Sequence, residues 1–122
     1  MDPFALVDAM RQALERRDAD GLAAVLHPDV KLHLYSQPGV IEGREAARAW
    51  YRQAFASRTV FEGDAAPELG EDGSLIARGR VCWYEHGVLR DWPGQWRITF
   101  RDGLIASVTA ERDTGRDPAE RA

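Results

Sequence analysis

The chain has 122 residues but only one cysteine, Cys82, one lysine, Lys31, and three histidines. Each scarcity removes a class of function. A lone cysteine rules out an intrachain disulfide and points to a reducing compartment, so a cytoplasmic location is expected. The histidines show neither HxH nor HxxxH spacing and Cys82 adds nothing to them, so no metal and no cofactor is expected. There is no basic patch: 16 Lys+Arg stand against 20 Asp+Glu, for a net charge of −4 with both signs interspersed. A nucleic-acid partner is therefore not expected. No apolar run is long enough to span a bilayer, and the opening MDPFALVDAM lacks the basic region of a signal peptide, so no membrane partner is expected either. No internal repeat and no linker divides the chain. One domain is expected over residues 1–113, followed by a loose tail, TGRDPAERA, over 114–122, which has no apolar anchor.

What is present is 44% apolar and 30% charged residues, the balance of a globular domain. Phe4, Val7, Met10 and Leu14 recur at helical spacing behind Asp2 as cap and Pro3 at the first helical position. Asp18 caps a second short helix, with Leu22, Val25 and Leu26 on its apolar side and Pro28 as its stop. Val30, Leu32 and Leu34 alternate with Lys31, His33 and Tyr35, which predicts a half-buried strand. Gly43 opens a third helix whose apolar face is Ala46, Ala47, Trp50, Tyr51, Ala54 and Phe55. The period then changes. Thr59 to Leu69 is a weak strand broken by Gly63 and Pro67. Long strands are predicted over Leu75–Glu85, Val88–Phe100 and Leu104–Arg112, joined by hairpins at His86-Gly87 and Asp102-Gly103. Pro93-Gly94 is expected to mark a bulge or kink.

Three passages in this order, DADGLAAVLHPDVKLHL, IEGREAARAWYRQAF and WRITFRDGLIASV, resemble the SnoaL-like domains of the nuclear transport factor 2-like superfamily, over roughly Ala5 to Asp113. The resemblance implies an α+β fold: a cone-shaped curved antiparallel sheet wrapped round three N-terminal helices (a cystatin-like α+β barrel), with a pocket at its open end. The superfamily includes ketosteroid isomerase, limonene epoxide hydrolase and polyketide cyclases, besides domains that only bind or dimerise, so the fold leaves function open. Aligned on the glycines, the base aspartate of the isomerases falls at Leu34, their oxyanion tyrosine at Met10 and their protonated aspartate near Trp96. Only a supporting tyrosine has a match, Tyr51. Of the Asp-Arg-Asp set of the epoxide hydrolase only the arginine remains, at Arg80, with Cys82 and Ala110 in the carboxylate places.

The same alignment puts Leu32, Leu34, Arg80, Cys82, Tyr84, His86, Trp96, Ile98, Phe100, Ala106, Val108 and Ala110 on the inner face of the sheet, and Val81, Trp83 and Glu85 outside. An apolar cavity is expected between helices and sheet, its ligand-binding residues Met10, Leu14, Leu34, Trp50, Tyr51, Tyr84 and Trp96, with Arg80 or His86 at the polar end. The candidate catalytic residues are His33, Tyr84, His86 and Arg80, the arginine to stabilise an oxyanion. The plainer alternatives are Arg80 in an ion pair with Glu111 or Glu42, Tyr84 as core, His33 as a solvated strand residue and Cys82 as a small core residue. Three functions follow: a binding domain for a small hydrophobic molecule; a lyase, isomerase or cyclase acting on a polyketide-like or terpenoid-like substrate; or a dimerisation module whose cone is filled by Trp50, Phe55 and Trp96. A homodimer through the outer sheet face, burying Trp83, is the expected partner.

Overall fold

In a computed structural model, residues 2–34, 39–63 and 66–112 are described. Residues 1, 35–38, 64–65 and 113–122 lie outside them, and with them the expected tail. Helix α1, Pro3–Arg16, begins where the Asp2 carboxylate accepts a 3.0 Å hydrogen bond from the Ala5 N–H, and it ends at Arg17 in the left-handed conformation. Asp18 caps α2, Ala19–Ala23, through the Gly21 N–H at 3.0 Å. Helix α3, Arg44–Ala56, starts at Gly43, whose φ of 96° suits only glycine. Its N-terminus is tied to the first strand by Gly43 N–H to the Val30 carbonyl at 2.8 Å, and by Arg44, which donates through both Nε and Nη2 to the Leu26 carbonyl.

The strands are β1 Leu26–Leu34, β2 Val40–Glu42, β3 Val60–Gly63, β4 Glu68–Leu69, β5 Leu75–Glu85, β6 Val88–Arg101 and β7 Leu104–Arg112. They form one open, curved sheet in the order β2-β1-β7-β6-β5-β3, with β4 paired to β5. The pairing is antiparallel except between β1 and β7, which run parallel with Leu32 beside Val108 and Leu34 beside Ala110. The sheet is therefore mixed, where a wholly antiparallel one was expected. A parallel neighbour needs a crossover, and the long chain path between β1 and β7 supplies it. Both hairpins turn through paired left-handed residues, His86-Gly87 and Asp102-Gly103.

Two further differences have local causes. Helix α2 stops at Ala23, and Pro28 lies inside β1, at the irregularity between Leu26 and Lys31 where a missing N–H breaks no regular ladder. The bulge lies in β7, where Ala106 is the extra residue opposite Thr99 and Phe100, and not in β6 at Pro93-Gly94. It shifts the parity of β7, so that Ile105 rather than Ala106 enters the core. Leu6, Leu22, Leu26, Leu32, Leu75 and Ile98 pack between α1, α2 and the inner face of the sheet and form the closed end. Toward the other end the side chains become large and flat and the packing opens.

Candidate ligand site

Strand β5 decides the site. Its buried positions are Leu75, Gly79 and Val81, with Ala77 packed against the core, so the odd residues face the helices. Register carries this across: Ala77 opposes Trp96, Gly79 opposes Gly94 and Val81 opposes Trp92. Trp83 follows on the same face and meets Trp92 edge to face at 5.2 Å. The expected orientation of β5 is thus corrected by one residue. Arg80, Cys82 and Tyr84 point to the opposite, outer face, and His86 sits in the exposed turn. The physical reason is legible in the strand itself. One alternation is Leu75, Ala77, Gly79, Val81, Trp83; the other carries Arg78 and Arg80, which belong in water.

Two cavities lie between the helices and this face. The first, of about 210 Å³, is bounded by α1 through Val7, Met10 and Leu14, by Tyr51 of α3, and by Ala77, Trp96 and Val108 of the sheet. Asp8, Arg11, Glu15 and Arg78 stand at its rim. The helix charges hold one another: Arg11 bridges Asp8 at 2.7 Å and Glu15 at 2.9 Å. Arg78 bridges Glu68 at 3.0 Å. The second cavity, of about 270 Å³, lies beyond Phe61 and Trp96, which line both. It is walled by Leu34, Trp50, Ala54, Val81, Trp83 and Ala110. The cone is therefore not filled solid by its aromatic side chains.

The partition between the cavities rests on a bare patch. Gly79 and Gly94 oppose each other on the inner face. A Cβ on Gly94 would meet Cη2 of Trp96 at 2.6 Å, so the indole folds back over this glycine. A Cβ on Gly79 would meet the Glu62 carbonyl oxygen at 2.0 Å, so that glycine admits β3 to the sheet.

Two donors beside this space have no partner among the described residues. Tyr51 is 5% exposed, packs edge to face on Trp50 at 5.0 Å, and lines the first cavity. Its hydroxyl makes no hydrogen bond with any described residue, and burial alone pushes its ionisation well above the ordinary tyrosine range. The indole N–H of Trp96 likewise donates to no described residue. Neither atom is fully enclosed, and both residues line the first cavity.

Of the residues singled out from the sequence, Met10, Leu14, Tyr51 and Trp96 line the first cavity, and Leu34, Trp50 and Trp96 the second. Arg80, Tyr84, His86 and His33 line neither. Arg80 donates to Asp91 at 2.8 Å, a partner different from Glu111 or Glu42, and holds that carboxyl below its ordinary range. Tyr84 is 57% exposed rather than core, and His33 lies exposed on β1. His27 belongs to the closed end, where it accepts from the Asp29 N–H at Nδ1 and meets Asp102 through Nε2 at 3.3 Å. Cys82 donates to Asp91 at 3.4 Å, and burial first, then that carboxylate, pushes its thiol up to about 11. Phe61, Ala77, Val81 and Trp83 are lining residues that the sequence alignment missed. Among the described residues no cluster of three metal-ligating side chains occurs, and no helix is long and apolar enough to cross a membrane.

An open curved sheet cradling three helices, with an aromatic cavity at the wide end, defines the nuclear transport factor 2-like class. A family model for SnoaL-like domains matches residues 7–108, and the chain belongs to that family. A cystatin-fold protein of Novosphingobium aromaticivorans superposes with a TM-score of 0.78 at 19% identity, over 92% of this chain and 99% of that one. A candidate polyketide cyclase of Xanthomonas campestris pv. campestris gives a TM-score of 0.73 at 26% identity, over 87% of this chain and 86% of that one. Another from Pseudomonas putida gives 0.76 at 20% identity, over 91% of each. No curated protein matches the chain.

Proposed function

We propose that this domain binds a small, mostly apolar molecule carrying an oxygen acceptor, in the cavity beneath α1. The observation that carries the reading is the Tyr51 hydroxyl: a donor on a buried ring that lines the cavity, is not itself fully enclosed, and has no partner among the described residues. A carbonyl or ether oxygen would satisfy it, with the Trp96 N–H as a second donor in the same wall.

Binding is favoured over turnover because a lyase, isomerase or cyclase needs a general acid or base beside its oxygen donors. None of the three histidines lines either cavity, the α1 charges are engaged with one another at the rim, and the remaining carboxylate residue of the lining, Glu62, is exposed on β3 opposite Arg80 of the outer face. The names of the cyclase-like relatives keep a polyketide-like ligand in view as the substrate class. The test compares 2-acetonaphthone with 2-ethylnaphthalene by calorimetry. Wild type should hold the ketone several-fold more tightly than the hydrocarbon, and Tyr51→Phe should abolish that preference. A preference that survives in Tyr51→Phe would show that the donor has been misassigned.

We also propose a homodimer through the outer sheet face, with its contact moved from Trp83 to the pair Tyr84 and Leu89. These oppose each other across β5 and β6 on that face and are 57% and 56% exposed.

A further inference from the structure

The second cavity has an unusual wall. Three of the four tryptophans in the chain, Trp50, Trp83 and Trp96, line it together with Phe61. In a chain that is 30% charged, no charged side chain lines this cavity among the described residues; its polar groups, such as Gln53 and Thr59, are neutral. A cavity meant only to exclude water could be built from leucine and valine. Indoles add a negative quadrupole above and below each ring, and they attract cations more strongly than any other side-chain ring. The neighbouring tryptophan shows this attraction within the molecule itself. The Arg112 guanidinium carbon lies 4.1 Å from the ring centroid of Trp92, which in turn packs against Trp83.

We infer that this second cavity is a binding site for a methylated ammonium group. Such a cation is apolar on its surface, carries no N–H that would need an acceptor, and spreads its charge over methyl groups that rest on ring faces. A primary ammonium or a guanidinium would demand an acceptor for each N–H, whereas the indoles offer none and the side-chain acceptors of the lining are confined to the exposed Gln53 and Ser57 and to Thr59. The net charge of −4 favours the approach of a cation at low ionic strength. The inference is independent of the Tyr51 reading, which concerns the other cavity and a neutral oxygen.

The experiment titrates the full chain with choline and with 3,3-dimethylbutan-1-ol, following tryptophan fluorescence. The two compounds share shape and hydroxyl and differ in a quaternary nitrogen against a quaternary carbon. Choline should bind roughly tenfold more tightly than the alcohol. Trp83→Leu, which keeps an apolar wall, should remove the preference; Trp83→Phe should retain part of it and serves if the leucine variant fails to fold. Equal affinity for the two compounds, no binding of either, or a preference undiminished in both variants would each overturn the inference.

Discussion

Replacing Tyr51 by phenylalanine should raise the stability of the free protein while lowering its affinity for a ligand. A buried hydroxyl without a partner costs about 1–3 kcal/mol of desolvation. Tyr51 is 5% exposed as a residue, but its hydroxyl is not fully enclosed beside the cavity, so only part of that cost is present. The ring contacts with Trp50, Phe55 and Phe61, at centroid distances of 5.0, 6.2 and 6.1 Å, survive the substitution. A net gain of about 0.5–1 kcal/mol is expected, or about 2–6 °C in Tm for a domain of this size. Urea unfolding should show a higher midpoint with an unchanged slope. The alkaline limb gives an independent check. Burial makes Tyr51 a weaker acid in the folded chain than in the unfolded one, where it ionises near its ordinary value of 10.0. Its contribution to stability is therefore intact below that pH and declines above it, as the unfolded state gives up the proton that the folded state keeps. Tyr51→Phe should flatten that decline. A loss of about 1 kcal/mol or more in the variant would mean that the hydroxyl has a structural partner, and the reasoning would fall.

Gly94→Ala should drive the Trp96 indole off its seat and into the cavities, since the added Cβ would stand 2.6 Å from Cη2. Overpacking should cost about 1–3 kcal/mol and weaken 2-acetonaphthone in calorimetry; unchanged binding would show that Trp96 is not the partition. Cys82 should react sluggishly with iodoacetamide at pH 8. Its thiol is pushed up to about 11 from 9.0, which lowers the thiolate fraction about a hundredfold, and Asp91→Asn should speed the reaction. Modification at the rate of the unfolded chain would contradict this. Light scattering on a size-exclusion column should report a dimer that dissociates on Tyr84→Ser with Leu89→Ser, whereas Trp83→Leu should leave it intact. A wild-type monomer at tens of micromolar would remove the interface.

The three long strands were legible because alternation and two left-handed hairpin turns delimit them without reference to anything distant. The parallel pairing of β1 with β7 was not, because nothing local in VKLHL records which way its neighbour runs. The inner face of β6 is legible through Trp96 and Ile98, whereas the alignment places that of β5 one residue out. Aligning on glycines fixed its parity from relatives of unknown spacing, and a single-residue slip exchanges the two faces. The strand's own charges, Arg78 and Arg80, would have set it right. The free donors at Tyr51 and Trp96 lie beyond sequence reasoning, since whether a hydroxyl or an indole N–H finds a partner depends on several elements at once.

The binding claim is tested most directly by the indole N–H region of a nitrogen-edited NMR spectrum, where the four tryptophans give four resonances. Titration with 2-acetonaphthone should move the Trp96 resonance downfield as its N–H gains an acceptor, and leave Trp92 nearly in place. A spectrum in which Trp96 stays fixed at saturating ketone, while other residues respond or none does, would contradict the account.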